Sequence, residues 1–457
     1  MKKLLLFLLL PFLSYGQVQI GNDIDGIGEG DGTGRSIGLN MSGDFLAVYG
    51  RGNDNAGQVR FFENQSGTWV QVSIINGSQS LAFAGFGLDL SSNGDIVAIA
   101  SVNLGIVQVF ENDNNNWIQI GEDIEESLPV SGFFGTILRL SSEGNILAIA
   151  NPYDNTANGN MSGKVQVYEN QGGNWVQVGQ DFDGLSFQDF LGTGLDLSSD
   201  GNILAFGNSS LNGRVSVFEN SGGVWLQIGE DIIGEYIGRS VKLSSDGNIL
   251  VTSKTVEDVR RVVVYQNQND DWVQMGGDIF GDPSSAQFGE NMSISSNGNI
   301  LVVGDTSQNA TWIYQYVNEN WVQIGDIING ESDGDSSGLG IDLSANGEIL
   351  AIGARLNDGN GDNSGHVRVF DISNEILSTQ QPIKSKPSLY PNPTNTNFTI
   401  TLSDLDTLQK ATIYNSLGQE VLTSTRTTID VSSLSKGVYV VEVQTSTGKG
   451  SEKLIIQ

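Results

Sequence analysis

The sequence predicts an all-β protein: a seven-bladed β-propeller closed by its N-terminal strand, followed by a small Ig-like β-sandwich. Three observations predict it. A unit with a period near fifty residues recurs along most of the 457-residue chain, which is the signature of a propeller when each unit holds four strands. Seven copies are present. The last copy lacks its fourth strand, and a matching piece stands at the opposite end of the chain.

The unit is clearest at residues 194–231. Runs at 195–197, 203–206, 215–218 and 225–228 are rich in aliphatic, β-branched and aromatic residues and are bounded by turn residues, so each reads as a strand. Ser198-Ser199-Asp200-Gly201-Asn202 joins the first two, and Asp-Gly supplies the positive-φ positions of a tight hairpin. The second run is apolar at successive positions, which requires both faces of the sheet to be covered. One unit cannot do that alone.

The hairpin glycine recurs at Gly43, Gly94, Gly144, Gly201, Gly247, Gly298 and Gly347, and an upstream glycine at Gly34, Gly85, Gly135, Gly192, Gly238, Gly289 and Gly338. Both series step by 51, 50, 57, 46, 51 and 49 residues, so they are one repeat seen twice. The W-x-Q-[IV] pattern of the fourth strand stands at Trp69, Trp117, Trp175, Trp225, Trp272 and Trp321, and none follows residues 367–370. Residues 17–24, Q-V-Q-I-G-N-D-I, supply the missing strand from the N-terminus. Closure of this kind removes the sheet edges an open array would leave.

In chain order, residues 1–16 carry Lys2 and Lys3, an apolar run over 4–13 and small residues near the end, the pattern of a secretory signal peptide. Its apolar run is too short to span a bilayer, so no transmembrane segment is expected in the mature chain. The propeller is expected over 17–372. Of 22 basic and 53 acidic residues, 1–16 hold two and none and 384–457 hold seven and six, which leaves 13 and 47 to 17–383, a net charge of −34. Such a surface repels phosphate backbones and anionic headgroups, which argues against nucleic acid and membrane-surface partners and favours cations. The chain has no cysteine, so stability must come from blade packing and closure rather than disulfides.

Residues 373–386, dominated by Ser, Thr, Gln, Lys and Pro, read as a linker. Apolar runs at 398–402, 411–414, 428–431, 438–443 and 453–456 then make a small sandwich of residues 387–457. Within it stand, in order, Leu389-Tyr390-Pro391-Asn392-Pro393-Thr394, Ile413-Tyr414-Asn415-Ser416-Leu417-Gly418-Gln419, Leu434-Ser435-Lys436-Gly437-Val438-Tyr439, and Lys449 with Lys453-Leu454-Ile455-Ile456. This unit resembles the type A C-terminal sorting domain of type IX secretion substrates, with Tyr390, Pro391, Asn392, Pro393, Gly418, Gly437, Tyr439 and Lys453 as motif positions. The resemblance implies a Bacteroidota-type envelope, the type IX machinery as partner, export across the outer membrane, and release or surface attachment after removal of the domain.

Gly353-Ala354 followed by Asn357-Asp358-Gly359-Asn360-Gly361-Asp362-Asn363-Ser364-Gly365-His366-Val367-Arg368-Val369-Phe370 resembles the FG-GAP-related propeller repeats of bacterial surface proteins and integrin α chains. Phe86-Gly87 and Phe288-Gly289 fit the first half of that name, and Asn151-Pro152-Tyr153 part of the second. Integrin-type repeats carry a D-x-D-x-D-G calcium loop in the first hairpin, whereas that hairpin here reads S-S-D-G-N or similar.

In a four-stranded blade, the links from second to third strand and from fourth strand to the next blade share one rim. Here they differ between blades and hold the unusual residues, so that rim is expected to carry a ligand site of Asp31, Glu126, Tyr153, Asp154, Asp333, Asp335, Asn357 and Asp358. The bland alternative is a set of unconstrained polar turns. Asp358, Asn360 and Asp362 offer oxygen ligands for a weak calcium site, calcium being the one cofactor in view. The tryptophans are expected to pack between blades, and Asp23, Asp123, Asp181, Asp231, Asp278 and Asp326 to cap turns. His366, the single histidine, is expected to be solvated or satisfied within its loop.

No Ser-His-Asp set is defined, and carboxylates are too abundant for a glycosidase pair to be picked out. The leading expectation is an exported adhesion or ligand-binding propeller without catalysis of its own, its ligand a glycan or a protein. A secreted polysaccharide-active hydrolase or lyase is the alternative that a buried carboxylate pair or an Arg/Lys/Tyr cluster in a pocket would favour. A structural surface or motility-associated component is the alternative that self-association would favour.

Overall fold

The computed structural model describes residues 17–52, 55–78, 83–126, 133–376, 388–402, 408–415, 419–445 and 449–457. The expected signal peptide, most of the linker and Gly418 lie outside the described residues. The chain divides into two units, Met1–Leu377 and Ser378–Gln457.

Among the described residues the first unit holds seven antiparallel sheets. The fourth shows the plan: Gly194–Leu197, Ile203–Gly207, Asn212–Asn220 and Trp225–Gln227 pair in chain order, and Ile232–Glu235 continues the outer edge against Asn212–Asn220. Six sheets are built from contiguous chain. In the seventh, Ser337–Leu343, Ile349–Ala354 and His366–Asp371 take Val18–Gln19 and Ile24–Asp25 as the outer edge, with Val18 opposite Asp371 and Ile24 opposite Val367. The N-terminal segment thus forms two short strands with a turn between them, where the sequence pattern reads as one strand.

The continuous apolar runs are explained by what lies on each side. In Ile203–Gly207, Leu204 and Phe206 face a cluster with Ile146, Val165 and Val167 of the third sheet, whereas Ala205 faces Val241 and Leu250 of the fifth. Every consecutive pair of sheets shares such a cluster, including the seventh and first, where Ile24, Val367 and Val369 meet Leu46, Val48 and Phe62. Full burial of each such side chain is worth about 1.5–3 kcal/mol.

Two hydrogen-bond series run around the unit. The indole N–H of Trp175, Trp225, Trp272 and Trp321 donates to the carbonyl of Ile120, Val178, Ile228 and Met275 of the preceding sheet at 3.0–3.1 Å. Gln17 stands where the tryptophan would be in the seventh sheet, and its amide donates to the carbonyl of Asp326 in the sixth at 2.7 Å. At the first-hairpin end, backbone N–H groups link Met41 to Ser92, Ser92 to Ser142, Ser142 to Ser199, Ser199 to Ser245, Ser245 to Ser296, Ser296 to Ala345 and Ala345 back to Met41, at 2.8–3.0 Å. Gly201 shows why the hairpin needs glycine: φ is +74°, and a Cβ would stand 2.7 Å from Ile146 Cγ1.

Five of the six aspartates expected to cap turns accept a glutamine side chain across the turn. Gln19, Gln119, Gln177, Gln227 and Gln274 donate to the carboxylate four residues on, Asp23, Asp123, Asp181, Asp231 and Asp278, at 2.6–2.9 Å. Asp326 departs from the expectation, because Asn320–Asn329 runs through it as one continuous strand and no turn forms there.

The second unit has two antiparallel sheets over one core. Ser388–Tyr390, Asn397–Thr401 and Thr428–Asp430 form one; Glu420–Ser424, Leu408–Tyr414, Gly437–Thr445 and Lys449–Ile456 form the other. Phe398, Ile413, Val441 and Leu454 pack between them. The strands Ser388–Tyr390 and Glu420–Ser424 had no apolar run to announce them. Asn392 ties its turn to the last strand, donating to the Lys453 carbonyl at 2.6 Å and accepting from the Ile455 N–H at 2.9 Å. The Tyr439 hydroxyl donates to the Ser435 carbonyl at 2.7 Å.

Candidate functional site: a charged channel with a cationic mouth

The first strands of all seven sheets line one channel. A cavity of about 670 Å³ touches Ile37, Leu88, Leu138, Leu195, Val241, Met292 and Ile341, and one of about 180 Å³ touches the residues two positions on. Both touch Arg139 and Lys242. The intervening register position reads Gly38, Asp89, Arg139, Asp196, Lys242, Ser293 and Asp342 around the sheets. Asp89, Asp196 and Asp342 each accept the backbone N–H of a leucine in the next sheet, Leu140, Leu243 and Leu39, at 2.7 Å. Arg139 Nε donates to Asp196 Oδ1 at 2.9 Å.

Burial sets the protonation of this ring. It pushes Asp89 up to about 6 against the pull of Arg139, and it raises Asp342 as well. Burial, then Arg139, lowers Lys242. Burial also opposes the charge of Arg139, but Asp89, Asp196 and Asp342 outweigh it and hold its pKa above the ordinary value. The signal for this ring was present in the sequence as the middle letter of each first strand. It is charged in five sheets although its neighbours are apolar.

The mouth is on the rim of the variable links. Tyr153 lines the large cavity and packs against Phe133 in a tilted arrangement at 4.3 Å and edge-to-face against Phe190 at 5.6 Å between ring centroids. A side pocket of about 240 Å³ shares Arg35 and Phe86 with it and adds Tyr49, Arg51, Phe83, Phe133 and Arg355. The Arg35 guanidinium lies 3.9 Å above the Phe86 ring. Burial, then the nearby charge of Arg355, pulls Arg35 down to about 10. Among the described residues no carboxylate stands within ion-pair distance of Arg35, Arg51 or Arg355. Arg239 and Arg260, by contrast, share Glu290 at 3.3 Å.

Of the eight rim residues named from the sequence, Tyr153 alone lines the described cavities. Asp31, Glu126, Asp335 and Asn357 are buried and knit the loops together. Asp31 accepts from the Gly52 N–H at 2.9 Å, Glu126 from Asn151 at 2.6 Å and Asp335 from Asn357 at 3.0 Å. The same carboxylate–asparagine link joins Asp189 to Asn208. Asp154 faces Lys164 at 3.6 Å, and Asp333 is exposed. In the expected calcium loop, Asp358 accepts from the Asn363 N–H at 2.7 Å, the Asn360 amide donates to the Gly26 carbonyl at 2.7 Å, and Asp362 is exposed.

His366 departs from the expectation of a solvated or loop-satisfied residue. It is buried, and its Nδ1 lies 3.2 Å from Asp23 Oδ2 and 3.8 Å from Glu331 Oε2. These three ligand-type atoms lie within 4.8 Å of one another.

Comparison with known proteins places these two units. Residues 388–457 match the family model described as a secretion system C-terminal sorting domain. No curated protein sequence matches the chain. The chain is similar in structure to the β-propeller domain of Cps50 (Swd1) from Myceliophteria thermophila, at 12% identity and TM-score 0.51 over 78% of this chain and 98% of that one. It is similar to a chain of the mitotic checkpoint complex at 14% identity and TM-score 0.53, over 80% and 98%. Hydrazine synthase of Kuenenia stuttgartiensis matches at 12% identity and TM-score 0.50, over 77% and 97%. At such identities the likeness shows fold alone. No described helix is long and apolar enough to cross a membrane. Residues 388–457 are therefore a type IX secretion C-terminal sorting domain, which directs export across the outer membrane, and the unit it follows has the β-propeller fold.

Proposed function

We propose that this is an exported ligand-binding protein whose seven-bladed propeller, closed by residues 17–25, binds an acidic sugar at the cationic mouth of its channel. One observation carries the reading: among the described residues Arg35, Arg51 and Arg355 stand without carboxylate partners around Phe83, Phe86 and Phe133, although residues 17–383 carry a net charge of −34. Guanidinium forks fit a carboxylate or sulfate bidentately, and aromatic faces take the apolar face of a sugar ring. The acidic surface elsewhere repels polyanions, so the fitting ligand is a neutral glycan ending in one uronate or sulfated residue. Blade number and closure are supported by the hydrogen-bond series that returns from Ala345 to Met41 and by the pairing of Val18–Gln19 with the last strand.

The test is an array of matched glycans, neutral or acid-ended, probed with residues 17–457. The reading expects acid-ended chains to bind and Arg35→Ala and Arg355→Ala to weaken them at least about tenfold, the loss of one charged hydrogen bond. Equal binding of neutral chains, or unaffected variants, contradicts it.

A polysaccharide-active hydrolase or lyase is favoured by a different observation, the raised carboxyls of Asp89 and Asp342 beside Arg139 and Lys242 in the channel. Turnover of an acid-ended glycan that disappears in Asp89→Asn would establish it. Binding without turnover would leave the first reading alone.

A further inference from the structure

One register position near the start of the third strand carries a basic or imidazole side chain in four sheets, and pairing with the outer edge identifies it. Lys164 pairs with Asp183, Arg214 with Ile233, Arg261 with Phe280 and His366 with Asp25. Each of the four faces the aspartate that follows the W-x-Q-type strand of its own sheet, or its N-terminal equivalent Asp23. Lys164 Nζ lies 3.2 Å from Asp181 Oδ2, Arg214 Nε 4.0 Å from Asp231 Oδ2 and Arg261 Nη1 3.2 Å from Asp278 Oδ2. His366 Nδ1 lies 3.2 Å from Asp23 Oδ2.

Three sheets therefore answer the aspartate with a permanent cation, and the seventh answers it with an imidazole, whose neutral form has a lone pair instead. The seventh also adds a second carboxylate, since Glu331 Oε2 stands 3.8 Å from the same nitrogen. Two carboxylates converging on a base with no fixed charge leave a place for a cation.

We propose that Asp23, Glu331 and His366 bind a divalent transition metal that staples the N-terminal segment to the seventh sheet. Ligand atoms held about 2.0–2.2 Å from one ion lie roughly 3–4 Å apart, close to the present separations. His366 is fixed, its side chain 1% exposed, and Asp23 Oδ1 is held by Gln19 at 2.6 Å, which leaves Oδ2 turned to the imidazole. Glu331, with its side chain 45% exposed, has the freedom to close on an ion and leaves a solvent-facing position for water. One nitrogen and two carboxylate donors suit Zn²⁺ or Mn²⁺, whereas Ca²⁺ takes six to eight oxygens. Asp23 lies between Val18–Gln19 and Ile24–Asp25, Glu331 follows Asn320–Asn329, and His366 opens the strand that both N-terminal pieces pair with. An ion held by all three exists only when the ring is closed, so it stabilises the native state by mass action.

This inference is independent of the ligand at the mouth. Residues 17–457, stripped with a chelator, are titrated calorimetrically with Zn²⁺, Mn²⁺ and Ca²⁺, with Co²⁺ as an absorbing probe and melting temperature followed in parallel. Glu331→Gln removes an exposed ligand. His366→Gln places at the site the residue that Gln58 provides at the same register in the first sheet. The expected result is one Zn²⁺ or Mn²⁺ per chain, a melting temperature that rises with metal concentration, ligand-field absorption with Co²⁺, and at least a tenfold weaker affinity in either variant. No uptake by the wild type, preference for Ca²⁺, or affinity unchanged in both variants overturns the proposal.

Discussion

The backbone N–H of Ala345 donates to the carbonyl of Met41 at 3.0 Å, and with that bond the series of hairpin contacts that began at Met41 returns to its start. Neither residue has a side chain suited to the role. The contact is between main chains, set by the common hairpin geometry of the first and seventh sheets. The same two sheets share the cluster of Ile24, Val367, Leu46 and Val48.

Deleting residues 17–25 tests closure. The last strand loses its partners at Phe370 and Asp371, and Ile24 leaves a buried site worth about 2 kcal/mol by itself. Calorimetry should show a loss above roughly 3 kcal/mol and a broadened transition, with association through the bared edge. An unchanged transition would mean the segment does not close the ring.

Trp225→Phe tests the indole series. Trp225 is buried at 3% exposure, and its N–H reaches the Val178 carbonyl at 3.1 Å. Losing that bond while keeping an aromatic ring should cost about 1–3 kcal/mol in urea unfolding, because the carbonyl is left unpaired. Val224→Ser, at an exposed site one residue away, should change little.

Asp89→Asn tests the channel ring. Burial raises Asp89 from 3.8 to about 6, so between those values the native state holds a proton the unfolded chain has lost, and stability falls as pH rises. Asparagine keeps an acceptor for Leu140 N–H and has no such dependence. The wild type should therefore lose about 3 kcal/mol relative to Asp89→Asn between pH about 4 and about 6, with the difference flat above that window. A difference that does not move with pH would show that Asp89 is not held protonated.

Most of the fold was legible because the repeat is local. Gly201 and its counterparts mark hairpins whose φ only glycine adopts easily, and the alternating partners of Leu204, Ala205 and Phe206 explain an unbroken apolar run. The site was less legible. Arg35, Arg51 and Arg355 lie in two different repeats and meet only once the first and seventh sheets adjoin, so no spacing announces them. Asp31, Glu126 and Asp335 stood out as acidic loop residues, but burial turns them inward to hold the links. His366 stood in a stretch whose family resemblance gives it no role, and its meaning comes from Asp23, which reaches it from the other end of the unit.

Removing residues 388–457 tests the address. The sorting domain is a compact unit with its own core of Phe398, Ile413 and Val441, so the propeller should fold without it and remain in the periplasm of the producing cell. Fractionation checks this. Surface appearance of the truncated chain would show that a second export signal exists.

The most direct test of the account is a crystal structure of residues 17–457 with a neutral glycan ending in a single uronate. The account predicts the carboxylate within hydrogen-bonding distance of Arg35 or Arg355 and the sugar ring over Phe86. Glycan bound at the opposite, serine-lined end of the channel, or an empty mouth at saturating glycan, would contradict it.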